Sequence, residues 1–131
     1  MLRLEIPRVG LSTIVLEGVG SRTLRVAIGH VPGTSWPGQP GNVVIVGHRD
    51  TFFRPLRKIR LCDEVSLETA DHTYHYRVSA FEIVDRDNLS VLRFHGKDEL
   101  TLITCYPFSY LGPAPKRFVI HAEPLLAKGK C

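Results

Sequence analysis

Three residues whose side chains can take part in covalent chemistry stand at the ends of apolar runs. Cys105 closes the run ELTLITC, His48 closes NVVIVGH, and Arg117 opens RFVIHAEP. A thiol becomes a good nucleophile once it ionises, and a nearby imidazolium or guanidinium favours the thiolate. A guanidinium can also stabilise the oxyanion that develops during acyl transfer. If the fold brings the three together, the set predicts a thiol acyltransferase or peptidase.

Each of these residues also has a purely structural interpretation. A free cysteine at a strand end is more often a small core residue than a nucleophile. His48, beside Gly47, fits a structural histidine, and Arg117 fits a solvated charge at a strand edge. The cysteines number three, Cys62, Cys105 and Cys131, and they lack the spacing of a zinc site. The odd number predicts that Cys105 is a free thiol, and a single disulfide between two of the three stays open.

Short strands must position these residues. Most apolar runs alternate or are rich in β-branched residues, and they stop at proline, glycine or acidic turns, as strands do. A helical turn fits VGSRTLRVAIGH, and a turn or short helix fits TFFRPLRKI, which Pro55 interrupts. About seven or eight strands with little helix predict an all-β fold, an antiparallel barrel or sandwich. The runs assigned to strands are LRLEIP, STIVLEG, NVVIVGH, EVSLET, HTYHYRVSAFEIV, ELTLITC and RFVIHAEP, and LSVLRFHGKD is ambiguous.

Size and charge exclude several classes of protein. The 131 residues fit one domain, and the formal net charge of +4 comes from scattered basic residues. The basic group Arg54, Arg57, Lys58 and Arg60 has no interleaved aromatics, so a solvated face is expected rather than a nucleic-acid site. No apolar run approaches the ~20 residues of a membrane span, and the start lacks a signal peptide's apolar core. The chain as given is therefore expected to be soluble.

Four sequence blocks, in order, carry a family resemblance. They are GHVPGTSWPGQPGN, GNVVIVGHRDTFFRPL, LTLITCYPF and GPAPKRFVIHA, within Val19 to Ala122. They resemble the signature blocks of sortases, the bacterial cysteine transpeptidases, and are most similar to the class D-like branch. The resemblance implies a single-domain, eight-stranded sortase-type β-barrel with one or two short helices. On this basis residues 1–126 are the predicted catalytic domain and residues 127–131 a flexible C-terminal tail.

The resemblance also implies roles for individual residues. Cys105 corresponds to the nucleophile, His48 to the proton-donating histidine, and Arg117 to the arginine that binds the substrate carbonyl or oxyanion. Thr104 and Tyr106 are expected to contact the substrate. That substrate would be an LPxTG-like or LPxTA-like sorting signal of a secreted protein, cleaved after threonine through a thioester and passed to an amine. The amine would come from a cell-wall precursor or another protein, and the reaction would anchor surface proteins.

The resemblance places such an enzyme on the extracytoplasmic face of a bacterial membrane. Sortases normally carry a membrane anchor, so the native form is expected to be membrane-anchored although this sequence has no anchor. A second departure is Cys62, which stands before Asp63 where the family pattern has glycine.

No cofactor and no metal are expected, because HExxH and cysteine–histidine zinc spacings are missing. The acidic turn VDRDN, with Asp85 and Asp87, is only a thin candidate for calcium.

Two rival functions stay open. One is a cysteine peptidase that hydrolyses the same signal without transfer. The other is a non-catalytic basic β-barrel that binds an anionic partner.

Overall fold

The structure, a computed structural model, describes residues 2–106 and 114–125. These residues form eight strands, one short α-helix and three 3₁₀ helices. The helices are η1 (Pro7–Val9), α1 (Ser21–Val26), η2 (Arg54–Lys58) and η3 (Ser90–Leu92). The strands are β1 (Leu2–Ile6), β2 (Leu11–Glu17), β3 (Ile28–His30), β4 (Asn42–Val46), β5 (Glu64–Glu68), β6 (Thr73–Asp85), β7 (Glu99–Tyr106) and β8 (Lys116–Pro124).

The strands close into one barrel in the order β1-β2-β3-β4-β7-β8-β6-β5. This confirms the predicted all-β fold and eight-stranded barrel. The expectation that the barrel is antiparallel was wrong for two of its pairings, because β2 pairs with β3 and β4 pairs with β7 in parallel. Both parallel pairs join strands that are linked by a crossover, through α1 in one case and through β5 and β6 in the other. The second parallel pair matters for the site, since it makes β4 and β7 end at the same rim.

Strand β3 escapes sequence prediction because it is short and lacks an alternating pattern. Its three residues, Ile28–His30, are all buried, and the middle one is a glycine. The helical turn expected just before it is α1, and the short helix expected around Pro55 is η2. The ambiguous segment LSVLRFHGKD contains η3 and no strand.

Gly29 leaves no room for any side chain. A Cβ built there would lie 2.0 Å from the carbonyl oxygen of Gly18, which is backbone and cannot rotate away. We expect Gly29→Ala to lower the free energy of unfolding by about 2–3 kcal/mol, as forced overpacking does. The matched control is Gly20→Ala, where nothing lies within 4 Å of the new Cβ. That variant should stay within about 1 kcal/mol of wild type in urea denaturation. Equal stability of the two variants would contradict the close approach of β2 and β3.

Apolar side chains pack on both faces of the β4–β7–β8 sheet. Leu100, Leu102 and Ile120 point into the barrel and belong to its main core. The alternate residues Ile103 and Val119 point outward. They form the outer cluster, whose buried members are Val44, Val84, Val91, Ile103 and Val119, with Val31, Val46 and Leu92 packed against them.

Cys62 adopts the backbone conformation that a glycine would favour. Its φ is +77°, and it is the one non-glycine residue with positive φ in the part of the chain that the structure describes. This explains why glycine is expected at this position. Cys62 is disulfide-bonded, so it does not offer a second thiol. The next residue, Asp63, is buried and accepts hydrogen bonds from the Arg8 guanidinium, which lowers the pKa of the Asp63 carboxyl.

No helix within residues 2–106 and 114–125 has the length and apolar character needed to cross a lipid bilayer. Residues 127–131, predicted to form a flexible tail, lie outside the described residues.

Candidate active site

The thiol and the guanidinium lie on neighbouring strands at the same level. In the antiparallel pairing of β7 with β8, Cys105 is directly opposite Arg117. Side chains at directly opposed positions share one face of the sheet, with Cβ atoms about 4.5–5.5 Å apart. Cys105 has a free thiol and is partly exposed, as is Arg117. The fold therefore places a fixed positive charge beside an accessible sulfur.

His48 reaches the same place from the other side of β7. Strand β4 runs parallel to β7 with Val46 beside Ile103, and the Gly47 amide donates to the Ile103 carbonyl at 3.2 Å. Continued by two residues, this register brings His48 beside Cys105. His48 is exposed, and its carbonyl accepts hydrogen bonds from two amides of the following turn. His48 therefore follows β4 at the rim of the barrel where β7 carries the thiol.

Gly47 is required by close packing beneath the histidine. A Cβ at Gly47 would lie 2.7 Å from Ile28 Cγ2 and 2.8 Å from Phe53 Cδ2, both in the main core. The backbone of β4 is therefore held directly against the core at the residue before His48. This packing fixes the direction in which the imidazole leaves the sheet.

The three residues stand at the end of the outer cluster. Alternate residues of a strand lie on the same face. Cys105 therefore shares the outer face with Ile103, and Arg117 shares it with Val119. The same alternation, continued past the end of β4, assigns His48 to the face of Val46. A buried apolar cluster therefore extends along this face to the level of the thiol, and its partly buried members are Val31, Val46 and Leu92.

The Arg117 guanidinium keeps donors available for another partner. Its Nη1 donates to two backbone carbonyls, of Lys116 at 2.9 Å and of Ala114 at 3.3 Å. No carboxylate within residues 2–106 and 114–125 forms an ion pair with it. The neighbouring Lys116, by contrast, pairs with Asp85. Arg117 has five N–H donors in all, so it can bind a substrate oxygen while it stays anchored to the backbone.

Thr104 and Tyr106 point to the opposite side of β7 from Cys105. Thr104 is buried, and its Oγ1 has no hydrogen-bond partner among the described residues. Tyr106 is partly buried, with its ring 6.1 Å from that of Phe118. The fold therefore does not bring these two side chains onto the face that holds Cys105, and their expected substrate contacts stay a prediction. Phe108, the next aromatic residue after Tyr106, lies outside the described residues.

His30, the last residue of β3, anchors a loop. It is buried, it stacks on Trp36 with ring centroids 4.4 Å apart, and its Nδ1 lies 2.6 Å from a Glu17 carboxylate oxygen. Its Nε2 lies 2.8 Å from the Ser35 carbonyl oxygen. These contacts tie residues 31–36 to the end of β2.

No group of histidine, cysteine and acidic side chains in the described ranges is arranged to hold a metal ion. In the turn VDRDN, the Asp85 carboxylate is already paired with Lys116.

Sequence reasoning missed a set of buried polar residues on the outer face. Asn42, Glu99 and Thr101 are all buried at the start of β4 and β7. The available signal was the presence of polar residues at alternate positions in runs that are otherwise apolar.

Comparisons with known proteins agree with this architecture. The sortase domain family model matches residues 4–125. Sortase D of Bacillus subtilis is 37% identical over 121 residues, and sortase A of Bacillus anthracis is 29% identical over 132 residues. These matches cover 92% and 98% of this chain, but the chain spans only 61% of the length of either relative.

Solved structures of sortases also superpose on this chain. A Clostridium perfringens sortase D5 transpeptidase superposes with a TM-score of 0.86 at 25% identity, over 95% of this chain and 78% of that one. Sortase C-1 from Actinomyces oris also gives 0.86, at 30% identity, over 95% and 73% of the two chains. The matched family domain covers nearly the whole barrel, and it includes His48 and the strands that carry Cys105 and Arg117. The chain belongs to the sortase family.

Proposed function

We propose that this chain is the catalytic domain of a sortase-type cysteine transpeptidase. It would cleave an LPxTG-like or LPxTA-like sorting signal after threonine and transfer the acyl group to an amine, anchoring surface proteins to the cell wall. The observation that supports the proposal is the strand register, which puts Cys105 opposite Arg117 and ends β4, two residues before His48, at the same rim. The family supports an envelope location, and we propose the extracytoplasmic side, with the native protein held at the membrane.

The chemistry proceeds in two acyl transfers. The Cys105 sulfur attacks the carbonyl carbon of the signal's threonine, and Arg117 donates to the oxygen that becomes negative. As the carbon–nitrogen bond breaks, the His48 imidazolium gives its proton to the departing amine. A thioester to Cys105 remains. An incoming amine then forms a new carbon–nitrogen bond, the carbon–sulfur bond breaks, and the proton of the amine returns to His48.

The outer cluster supports recognition of the signal's apolar residues. Ile103 and Val119 lie two residues from Cys105 and Arg117 on the same face, and Val91 and Leu92 of η3 pack against them. The partly buried members of the cluster, Val31, Val46 and Leu92, keep some apolar surface that a leucine–proline pair would bury next to the reactive carbonyl. That burial would position the carbonyl for attack.

The experiment that tests this function offers a fluorogenic LPxTG-type peptide with and without triglycine. We expect the acyl–triglycine product to dominate when the amine is present, and a thioester adduct of Cys105 to appear by mass spectrometry. A peptide of the same composition in scrambled order is the control. Hydrolysed product alone, with saturating amine, would identify a peptidase instead. No cleavage and no adduct across a library of sorting peptides would leave the binding-module alternative.

A further inference from the structure

A buried polar network lies on the same outer face as the candidate active site, at the opposite end of β4 and β7. Glu99 is buried, with an exposed fraction of only 4%. Burying a carboxylate is costly unless it is paired and hydrogen-bonded. Glu99 meets this condition with two histidines, since Nδ1 of His121 and Nδ1 of His95 each lie 3.0 Å from one of its oxygens.

His95 connects Glu99 to the segment that carries η3. Its Nδ1 faces the carboxylate, and its Nε2 lies 2.9 Å from the Ser90 carbonyl oxygen. Both ring nitrogens therefore face acceptors. Only an imidazolium can donate to both at once, because a neutral imidazole has a single N–H.

Asn42 holds the same segment from β4. The Thr101 hydroxyl donates to Asn42 Oδ1 at 2.7 Å, which orients the amide. Asn42 Nδ2 then donates to the carbonyls of Val91 and Arg93, each at 3.0 Å. We refer to Asn42, His95, Glu99, Thr101 and His121 as the latch.

The latch holds η3 over the outer cluster, beside the groove in which the proposed sorting signal would lie. Val91, next to Ser90, is buried in the outer cluster, and Leu92 packs against that cluster. The cluster includes Ile103 and Val119, which are the outward-facing residues next to Cys105 and Arg117. Release of residues 90–95 would therefore remove Val91 and Leu92 from the cluster and change the apolar surroundings of the thiol.

We propose that the latch is a positioning device for the substrate groove, and that protonation of His95 tightens it. The groove half of the proposal rests on the proposed function, whereas the latch itself does not. His95, Glu99 and His121 act here through η3 and do not touch the reacting atoms.

The direction of the pH effect follows from the groups around His95. Glu99 of β7 and Glu82 of β6 face it, and the His121 ring of β8 meets it edge-on at 6.4 Å. Lys97 is paired with Glu123. The hydrogen bond to Glu99, and then that to the Ser90 carbonyl, raise the pKa of His95. The latch is therefore complete below the ordinary histidine pKa and loosens as the pH rises through the raised value.

Hydrogen–deuterium exchange tests the latch without any substrate. After correction for intrinsic rates, amides 90–95 of the wild-type protein should lose protection severalfold from about pH 6 to about pH 8.5. His95→Gln should show the weaker protection at both values. His72→Gln, at an exposed histidine outside the latch, is the matched control and should behave as wild type. The proposal would be overturned if the exchange rates of amides 90–95 changed neither with pH nor with the His95→Gln substitution.

A second variant separates the two anchors. Thr101→Val keeps the shape but removes the hydroxyl that orients Asn42 at 2.7 Å and makes a longer contact of 3.4 Å with Glu99 Oε1. It should loosen residues 90–95 at both pH values while the pH dependence persists. If Thr101→Val removed the pH dependence as well, the assignment of that dependence to His95 would be wrong.

Kinetics test the groove. With a sorting peptide at about pH 6, His95→Gln should raise KM severalfold and leave kcat within about twofold, because only substrate positioning is lost. If His95→Gln changed the exchange of amides 90–95 but left KM unchanged, the latch would not position the substrate groove, and that part of the proposal would be wrong. If no peptide is cleaved at all, the proposed function fails, and the exchange result still decides the latch.

Discussion

Cys105→Ala is expected to abolish both cleavage and transfer of a sorting peptide. Loss of a nucleophile that works as a unit with its partners should lower kcat by at least roughly 10⁴-fold. No thioester adduct should form, because Cys105 is the free thiol among residues 2–106 and 114–125. Cys105 is partly exposed at the rim, so the melting temperature should change little. Steady-state kinetics, intact-protein mass spectrometry and thermal unfolding check the three expectations.

Cys105→Ser is the matched variant for this experiment. It keeps the shape of the side chain and offers an oxygen nucleophile that is far less ionised near neutral pH. We expect an intact fold, peptide binding and no measurable turnover. Turnover retained by Cys105→Ala would contradict the nucleophile assignment and favour a non-catalytic domain or a different site. Rapid alkylation of Cys105 in the wild-type protein, slowed in Arg117→Ala, would further support an activated thiol.

Most of the candidate site can be predicted from the sequence, because the ends of its strands can be predicted. NVVIVGH and ELTLITC are apolar enough to predict buried strands, and a residue that closes such a run must lie near a rim of the barrel. The inference becomes specific only when the order of the blocks is added. Residue types alone leave Cys105 and Arg117 with structural interpretations.

The relative direction of strands is not visible in the same way. Alternation shows which side chains share a face, but it carries no information on whether β4 and β7 run parallel. The parallel pairing places His48 and Cys105 at the same rim, and only the fold shows it. Strand β3 could not be predicted from the sequence for a different reason. Three buried residues around Gly29 are too few for a periodic pattern.

The latch is hidden because its members are far apart in the chain. His121 is a strand residue that meets Glu99 only through the β7–β8 pairing, and Asn42 meets Thr101 only through the β4–β7 pairing. Glu99, the first residue of ELTLITC, predicts no more than a solvated strand end. Its burial depends on a loop that folds back over the sheet. Tertiary packing, not local pattern, creates this part of the molecule.

Arg117→Ala is expected to lower kcat by about 10²–10³-fold, the range seen when one oxyanion donor is removed. The physical reason is that charge on the carbonyl oxygen develops next to a guanidinium that is already in position and has no carboxylate partner in the described structure. KM should change less than kcat, because the interaction strengthens as the oxygen becomes negative. Arg117→Lys should be intermediate, since an ammonium keeps the charge and loses the planar fork of donors.

Lys116→Ala is the matched control, because Lys116 is the adjacent cation on β8 but points to the other face and pairs with Asp85. Its kcat should stay within about twofold of wild type, as expected for an exposed ion pair away from the thiol. An equal loss in both variants would show that β8 needs positive charge in general rather than a donor opposite Cys105. A loss in Arg117→Ala that appeared only in KM would instead make Arg117 a substrate-binding residue. A selective loss in kcat would tie the guanidinium to the transition state.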